Sequence, residues 1–185
     1  MMMYSPRIAE LTERCKFVFI ANPLSDGITN IFRRRLRDAF AQFQLSYEDY
    51  CVFVPFMNAE SFTGMTAIAD VFLDSIGWNG CNSSFEAIAY DVPIVTLPTG
   101  TMRGRHSIAH LKMLGLEELI ASSLDGYVQL AACLAQDPAY RHRIAAKIAA
   151  NKHKLYRDPA PIRALEDFIL AKVRAYQRSD VAVPA

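Results

Sequence analysis

Short apolar runs alternate along this chain with longer segments whose apolar positions recur every three or four residues. Phe17 to Ala21 (FVFIA), Cys51 to Pro55 (CVFVP), Asp70 to Leu73 (DVFL) and Pro93 to Leu97 (PIVTL) are β-branched or aromatic and bounded by polar or turn residues, which predicts four strands. Leu119 and Ile120 suggest a short fifth. Between the first two runs, Ile28, Ile31, Phe32, Leu36, Ala39, Phe40 and Phe43 trace one face of a helix. Further helices are predicted over Ala59 to Ala69, Ser83 to Tyr90, Gly104 to Leu114, Leu124 to Ala135, Ala139 to Lys154 and Pro161 to Gln177. Strands that each lead into a helix describe an α/β domain: a Rossmann-like parallel sheet of four or five strands, helices on both faces, and a ligand at the strand C-termini. The pattern reads as one domain over residues 1–178 and a tail over 179–185.

At 185 residues, 52% hydrophobic and 21% charged, the chain has enough apolar material for a real core, which excludes a disordered segment or a disulfide scaffold. No apolar run reaches the roughly 18 to 20 residues that span a bilayer, and MMMYSPRIAELTERCK lacks a signal-peptide core, so a soluble, cytoplasmic protein without membrane contact is expected. Cys15, Cys51, Cys81 and Cys133 form no C-x-x-C pair, which leaves free buried thiols as the expectation. Charge is uneven: residues 1–138 carry 10 Lys/Arg against 15 Asp/Glu, and residues 139–178 carry 10 against 3. With no nucleic-acid motif beside it, the basic end reads as a solvated helix face, and so does the run Arg33, Arg34, Arg35, Arg37.

Residues 69–98, ADVFLDSIGWNGCNSSFEAIAYDVPIVTLP, carry the chemistry: a strand, a small-residue loop, a helix start and another strand. The first N–H groups of such a helix lack internal partners, and its dipole places about half a positive charge there, so a diphosphate suits that end. Gly77 and Gly80 allow tight turning, and Asn82, Ser83 and Ser84 are short and polar. Glu86, one turn in, could accept from the vicinal hydroxyls of a ribose. Ser83 to Glu86 also fits the S-x-x-E capping box, in which Glu86 merely bonds back to the Ser83 backbone. G-x-G-x-x-G follows none of the strands, which speaks against a dinucleotide enzyme.

The stretch GWNGCNSSFEAIAYDVPIVTLPTGTMRGRHSIAHLKMLGLEELIA, residues 77–121, resembles the donor-binding half of protein O-GlcNAc transferases of the SPINDLY-like type and their bacterial TPR-linked relatives. The landmarks are Leu73-Asp74 ending a strand, Asn79-Gly80, the pair Asn82-Ser83, the acidic Glu86, Pro93 to Thr96, Arg105, and Leu114 to Ala121. Weaker similarity runs from about residue 7 to 168. The resemblance implies one half of a GT-B fold lacking its first strand. It implies a domain that holds UDP-GlcNAc and, without a metal or other cofactor, passes the sugar with inversion to Ser or Thr of an acceptor protein. It also implies the donor contacts: Glu86 on the ribose, Gly80, Cys81, Asn82, Ser83 and Ser84 around the diphosphate, Phe56 and Met57 beside the uracil with the Phe62 ring against it, and Arg105 nearby.

Two departures stand out. Cys81 and Asn82 fill positions held by His and Thr in animal members, and the opening strand with its phosphate-neutralising lysine is missing ahead of PRIAELTERC. Acceptor contact is therefore assigned to an N-terminal half or TPR array outside this sequence, and the chain is expected to be inactive alone. The alternative is a non-catalytic nucleotide-sugar-binding or interaction module from a truncated gene. Beside the segment, His106 reads as a loop or helix-start hydrogen-bonding residue rather than a base, and His110 as a helix-surface residue. Arg103 and Arg105 face a phosphate or an ordinary ion pair. Trp78 is a packing anchor or a wall of the sugar site.

Overall fold

The structure is a computed structural model that describes residues 4–12 and 14–180. These residues form two compact units that meet between Lys152 and His153.

The first unit opens with α1 (Tyr4–Leu11) and continues through β1 (Phe17–Ile20), α2 (Asp26–Ala41), α3 (Tyr47–Tyr50), β2 (Cys51–Val54), α4 (Ala59–Ala67), β3 (Phe72–Leu73), α5 (Asn82–Ala89) and β4 (Ile94–Val95). It then runs through α6 (His106–Leu114), α7 (Leu124–Gln136) and α8 (Pro138–Asn151). Helix starts follow capping chemistry. Ser25, Asn58, Ser123 and Asp137 each accept a hydrogen bond from a backbone N–H in the first turn of α2, α4, α7 and α8, and Pro138 opens α8 where its missing N–H costs nothing. Gly115, with φ of 69°, ends α6 in the left-handed conformation that glycine adopts without strain.

All four predicted strands are present and parallel, but they are arranged as two two-stranded sheets rather than one sheet of four or five. β1 pairs with β2 over Phe17↔Cys51 to Ile20↔Val54, and β3 pairs with β4 through Phe72↔Ile94 and Leu73↔Val95. The second ladder ends on the bond from the Asp74 N–H to the Val95 carbonyl, and the Asp74 side chain then turns to Gly80 and Thr96. The proposed fifth strand is a single bridge, Thr96↔Ile120, since Glu117–Leu119 winds into a 3₁₀ turn.

The core gathers around β4: Ile88, Ile94, Val95, Leu111, Leu116, Leu119, Tyr127, Leu134 and Ile148 are fully enclosed. Under α2, Phe17 meets Phe40 edge-on and Phe19 meets Phe32 and Phe53. Leu36, Ala39 and Phe40 of the predicted α2 face are buried, whereas Ile28 and Ile31, nearer the helix start, are exposed. Cys51 is the buried thiol, its pKa pushed up to about 12 by desolvation. Cys81 and Cys133 are exposed, contrary to the expectation of buried thiols, as both fall on helix ends or faces away from the core. The second unit is dominated by α9 (Ala160–Asp180), which takes in the first two residues of the expected tail; residues 181–185 of that tail lie outside those described. Among the described residues no helix is long and apolar enough to cross a membrane.

Candidate functional site

The loop from β3 to α5 is organised by one buried carboxylate. Asp74 is fully enclosed, its Oδ1 accepts from the Gly80 N–H at 2.7 Å, and its Oδ2 accepts from the Thr96 hydroxyl at 2.7 Å. Its backbone carbonyl accepts from the Tyr127 hydroxyl at 3.0 Å. Burial raises the Asp74 pKa, and the hydrogen bonds from Thr96 and Gly80 oppose that rise without cancelling it. The effect is to pin Gly80 over the end of β3, so the helix beyond it has a fixed starting point.

A second set of bonds holds the loop from the other side. The Asn79 N–H donates to the Arg103 carbonyl at 2.8 Å and the Asn79 side-chain amide donates to the Ser75 carbonyl at 3.0 Å, while Asn79 Oδ1 is buried without a partner among the described residues. Ser84 and Ser107 share a buried hydrogen bond of 3.0 Å, which locks α5 to α6. A Cβ on Gly80 would lie 2.6 Å from the hydroxyls of both Ser83 and Ser84, so only glycine lets the helix start fold this closely over the turn.

Helix α5 begins at Asn82 with Cys81 as its cap, and no side chain caps it. The capping box on Ser83 and Glu86 is therefore not formed, because Ser83 is already inside the helix. Glu86 is half-buried, and among the described residues its carboxylate has no hydrogen bond or ion pair. The arrangement is a helix N-terminus held by Asp74 and left without a side-chain cap; among the described residues the Asn82 and Ser83 side chains and the Glu86 carboxylate one turn on have no hydrogen-bond partner, which suits an anion flanked by a hydroxyl-bearing group.

The glycosyl transferase family 41 model matches residues 33–157. The chain belongs to that family. It is 31% identical over 81 residues to a UDP-N-acetylglucosamine–peptide N-acetylglucosaminyltransferase of Caenorhabditis elegans, covering 44% of this chain and 7% of that protein. It is 28% identical over 108 residues to the enzyme of the same name from Giardia intestinalis, covering 58% and 7%. A lysine-to-methionine mutant of Thermobaculum terrenum O-GlcNAc transferase superposes with a TM-score of 0.76 at 26% identity, over 96% of this chain and 32% of that one. The chain thus spans about a third of the bacterial transferase and a small part of the curated relatives.

Within this family 41 chain the other expected site residues are placed unevenly. Ser84 is buried and engaged with Ser107, whereas Cys81 and Asn82 are exposed. Phe62 sits half-buried on α4, which packs beside α5. Phe56 is exposed and lines a hollow of about 330 Å³ with Ile20, Ile28, Phe32 and Phe53 at the strand ends, a feature the sequence pattern did not reveal. Met57, next to it, is half-buried. Arg105 is exposed between the 3₁₀ turn Met102–Gly104 and α6.

His106 opens α6 as expected, but the hydrogen-bonding part of its expected role is not seen: its Nε2 is buried without a partner among the described residues. His110 is buried rather than on the helix surface: its ring lies tilted against Phe85, with centroids 4.1 Å apart, and desolvation followed by the His106 charge lowers its pKa. Trp78 is exposed, with the Arg103 guanidinium 5.2 Å above its ring, so it anchors no core. The run from Arg33 lies on the flank of α2, where Arg33 stacks over Phe53 and Arg37 over Tyr47. Among the described residues no three His, Cys, Asp or Glu side chains converge as a metal set.

Gly104 closes this loop cluster: a Cβ there would stand 1.9 Å from Thr99 Oγ1 and 3.4 Å from the Gly77 Cα. Gly104→Ala is expected to destabilise the chain by about 2 kcal/mol through overpacking. Thermal unfolding of this variant should show the loss, against a Gly100→Ala control, where a Cβ meets nothing within 4 Å and the midpoint should not move.

Proposed function

We propose that this chain is the donor-binding part of an inverting, metal-independent transferase that moves GlcNAc from UDP-GlcNAc to Ser or Thr of proteins in the cytoplasm. The observation that carries the proposal is the α5 start, fixed by the Asp74–Gly80 bond and left without a side-chain cap, with Glu86 one turn on unpaired among the described residues. In this reading Asn82, Ser83 and the first amides of α5 hold the diphosphate, Glu86 accepts from the ribose hydroxyls, and the uracil lies by Met57, Phe56 and Phe62. Arg105 adds positive charge at the same end of the sheet. The names of the worm, Giardia and bacterial relatives support this donor and a protein acceptor. Transfer needs the hydroxyl and the anomeric carbon held together, a positioning effect of roughly 7 to 11 kcal/mol, and this reading assigns the acceptor side to a further half of the enzyme or a TPR array.

Calorimetric titration of UDP into the 185-residue chain tests the site. Saturable binding with a Kd of about 1 mM or tighter is expected, weakened by Ser83→Ala by about 1 kcal/mol as one neutral hydrogen bond is lost. Absence of saturable UDP binding at millimolar concentration would sink the proposal.

A further inference from the structure

The outer edge of β2 opens onto a basic hollow. β2 pairs with β1 on one side, and among the described residues no further strand pairs with it on the other. In a parallel ladder, alternate residues direct their N–H and C=O groups to opposite sides. The Ala21 N–H donates to the Val54 carbonyl at 2.9 Å, so Val52 and Val54 face β1, and Cys51 and Phe53 direct their backbone groups outward. The Cys51 N–H is taken by the Tyr47 carbonyl. The Cys51 carbonyl and both backbone groups of Phe53 have no partner among the described residues.

Beside that edge lies a hollow of about 610 Å³, lined by Arg33, Arg34 and Arg37 of α2 together with Tyr47, Cys51 and Phe53. Stacking positions two of the guanidiniums: Arg33 lies 4.7 Å from the centre of the Phe53 ring, and Arg37 lies 5.0 Å from that of Tyr47. Arg34 has no hydrogen bond or ion pair among the described residues. Among the same residues, the one carboxylate paired with these arginines is Glu48, 3.5 Å from Arg37, and both side chains of that pair are more than half exposed. So open and long a pair contributes little and yields to a competing carboxylate. Three positive charges against one negative therefore face a hollow whose floor includes unpaired strand backbone.

We propose that this edge is a docking site for an acidic, extended segment of a partner protein, added to β2 as a further strand with alternate Asp or Glu side chains turned to the three arginines. The spacing fits. Because β1 and β2 are parallel, α2 runs back along them, and Arg33 and Arg37 stand one turn apart, about 6 Å along its axis. Alternate side chains of a strand are about 6.6 Å apart. A guanidinium offers paired planar donors that match a carboxylate, and one already held flat against a ring loses little further freedom on binding. Charge selects the occupant: arginines beside an open edge repel a basic strand, and equally a second copy of this edge, and they admit an acidic one. Single-stranded nucleic acid is disfavoured because the rings on which bases would stack are covered, Phe53 by Arg33, Phe32 and Phe19 and Tyr47 by Arg37. None of the residues assigned to UDP lines the hollow, so this inference stands apart from that reading.

Hydrogen exchange of the Phe53 amide, read by NMR on the full chain, tests it. The probe is a blocked peptide of about eight residues that alternates glutamate and valine, long enough for one strand. One control replaces its glutamates with lysine. The other replaces its valines with proline, which keeps the charge and cannot donate to a ladder. At millimolar concentration the glutamate–valine peptide is expected to slow exchange at Phe53 on the order of tenfold or more, and neither control to slow it. Arg33→Gln combined with Arg37→Gln should weaken peptide binding about tenfold, and Arg34→Gln alone, at an exposed position whose loss leaves the fold intact, about threefold. Arg35→Gln removes the same charge from α2 outside the hollow and should change binding by less than about twofold. Four outcomes would overturn the proposal. The first is unchanged exchange at Phe53 with the glutamate–valine peptide. The second is equal slowing by either control, and the third is an Arg35→Gln loss as large as that of Arg34→Gln, which would reduce the attraction to overall charge. The fourth is binding of a single-stranded oligonucleotide in the hollow by a chain that does not bind the peptide.

Discussion

Asp74→Ala is expected to lower the unfolding free energy by about 3 kcal/mol, because it strips a buried charged acceptor from two groups at once, the Gly80 N–H and the Thr96 hydroxyl. The Thr96 hydroxyl stays enclosed and unpaired, and the half-buried Gly80 N–H loses its acceptor. In a chain of this size that loss lowers the thermal midpoint by about 6 to 12 °C. Asp74→Asn should cost less than half as much, since its carbonyl oxygen still accepts from Gly80 and the Thr96 hydroxyl can rotate to accept from the new amide.

The two variants also separate in pH. The pKa of Asp74 is raised in the folded chain, so the native state holds its proton more tightly than the unfolded state does. The stability this contributes is fully present below the ordinary value of 3.8 and is lost as pH rises through the raised one. Asparagine has no proton to lose there. The stability of the wild type relative to Asp74→Asn should therefore fall with rising pH across that window, as measured by urea unfolding. A difference that rises with pH would mean that the hydrogen bonds to the carboxylate outweigh its burial.

How much of this was legible in the sequence differs by element. The four strands were, because each is a short β-branched or aromatic run ended by a polar or turn residue, and the longer helices were, because their apolar faces are regular; α3, a single turn before β2, was not. The break into two ladders was not: periodicity reports which residues face a core, and says nothing about which edge pairs with which. The burial of His110 was present in the pattern, since Ser107, His110, Leu111 and Leu114 fall three, four and seven residues apart on one face of α6, but residue type outweighed spacing. Asp74 entered only as a landmark. A carboxylate that directly ends an apolar strand is the signal that points to its structural task. The α5 start was misplaced by a residue because Asn82 and Ser83 are better caps than cysteine by type; the cap falls on Cys81 because Gly80 is tied to Asp74.

Glu86→Gln is expected to weaken UDP binding by about 1 to 3 kcal/mol, roughly 5- to 150-fold, with stability changed by less than about 0.5 kcal/mol. The two halves of that expectation have separate grounds. Stability should hold because the capping box that would have given Glu86 a structural task is absent, and its half-buried carboxylate is tied to no other described residue. Affinity should fall because a charge-assisted acceptor for two vicinal hydroxyls becomes a neutral amide, with one of its two positions a donor. Comparing UDP with 2′-deoxy-UDP sharpens the test. If Glu86 accepts from the ribose 2′-hydroxyl, the wild type should discriminate between the two ligands and Glu86→Gln should do so much less. Equal loss of affinity for both would place Glu86 near the diphosphate as a general electrostatic influence, and unchanged UDP binding would remove it from the site while leaving the α5 start to be judged by Ser83→Ala.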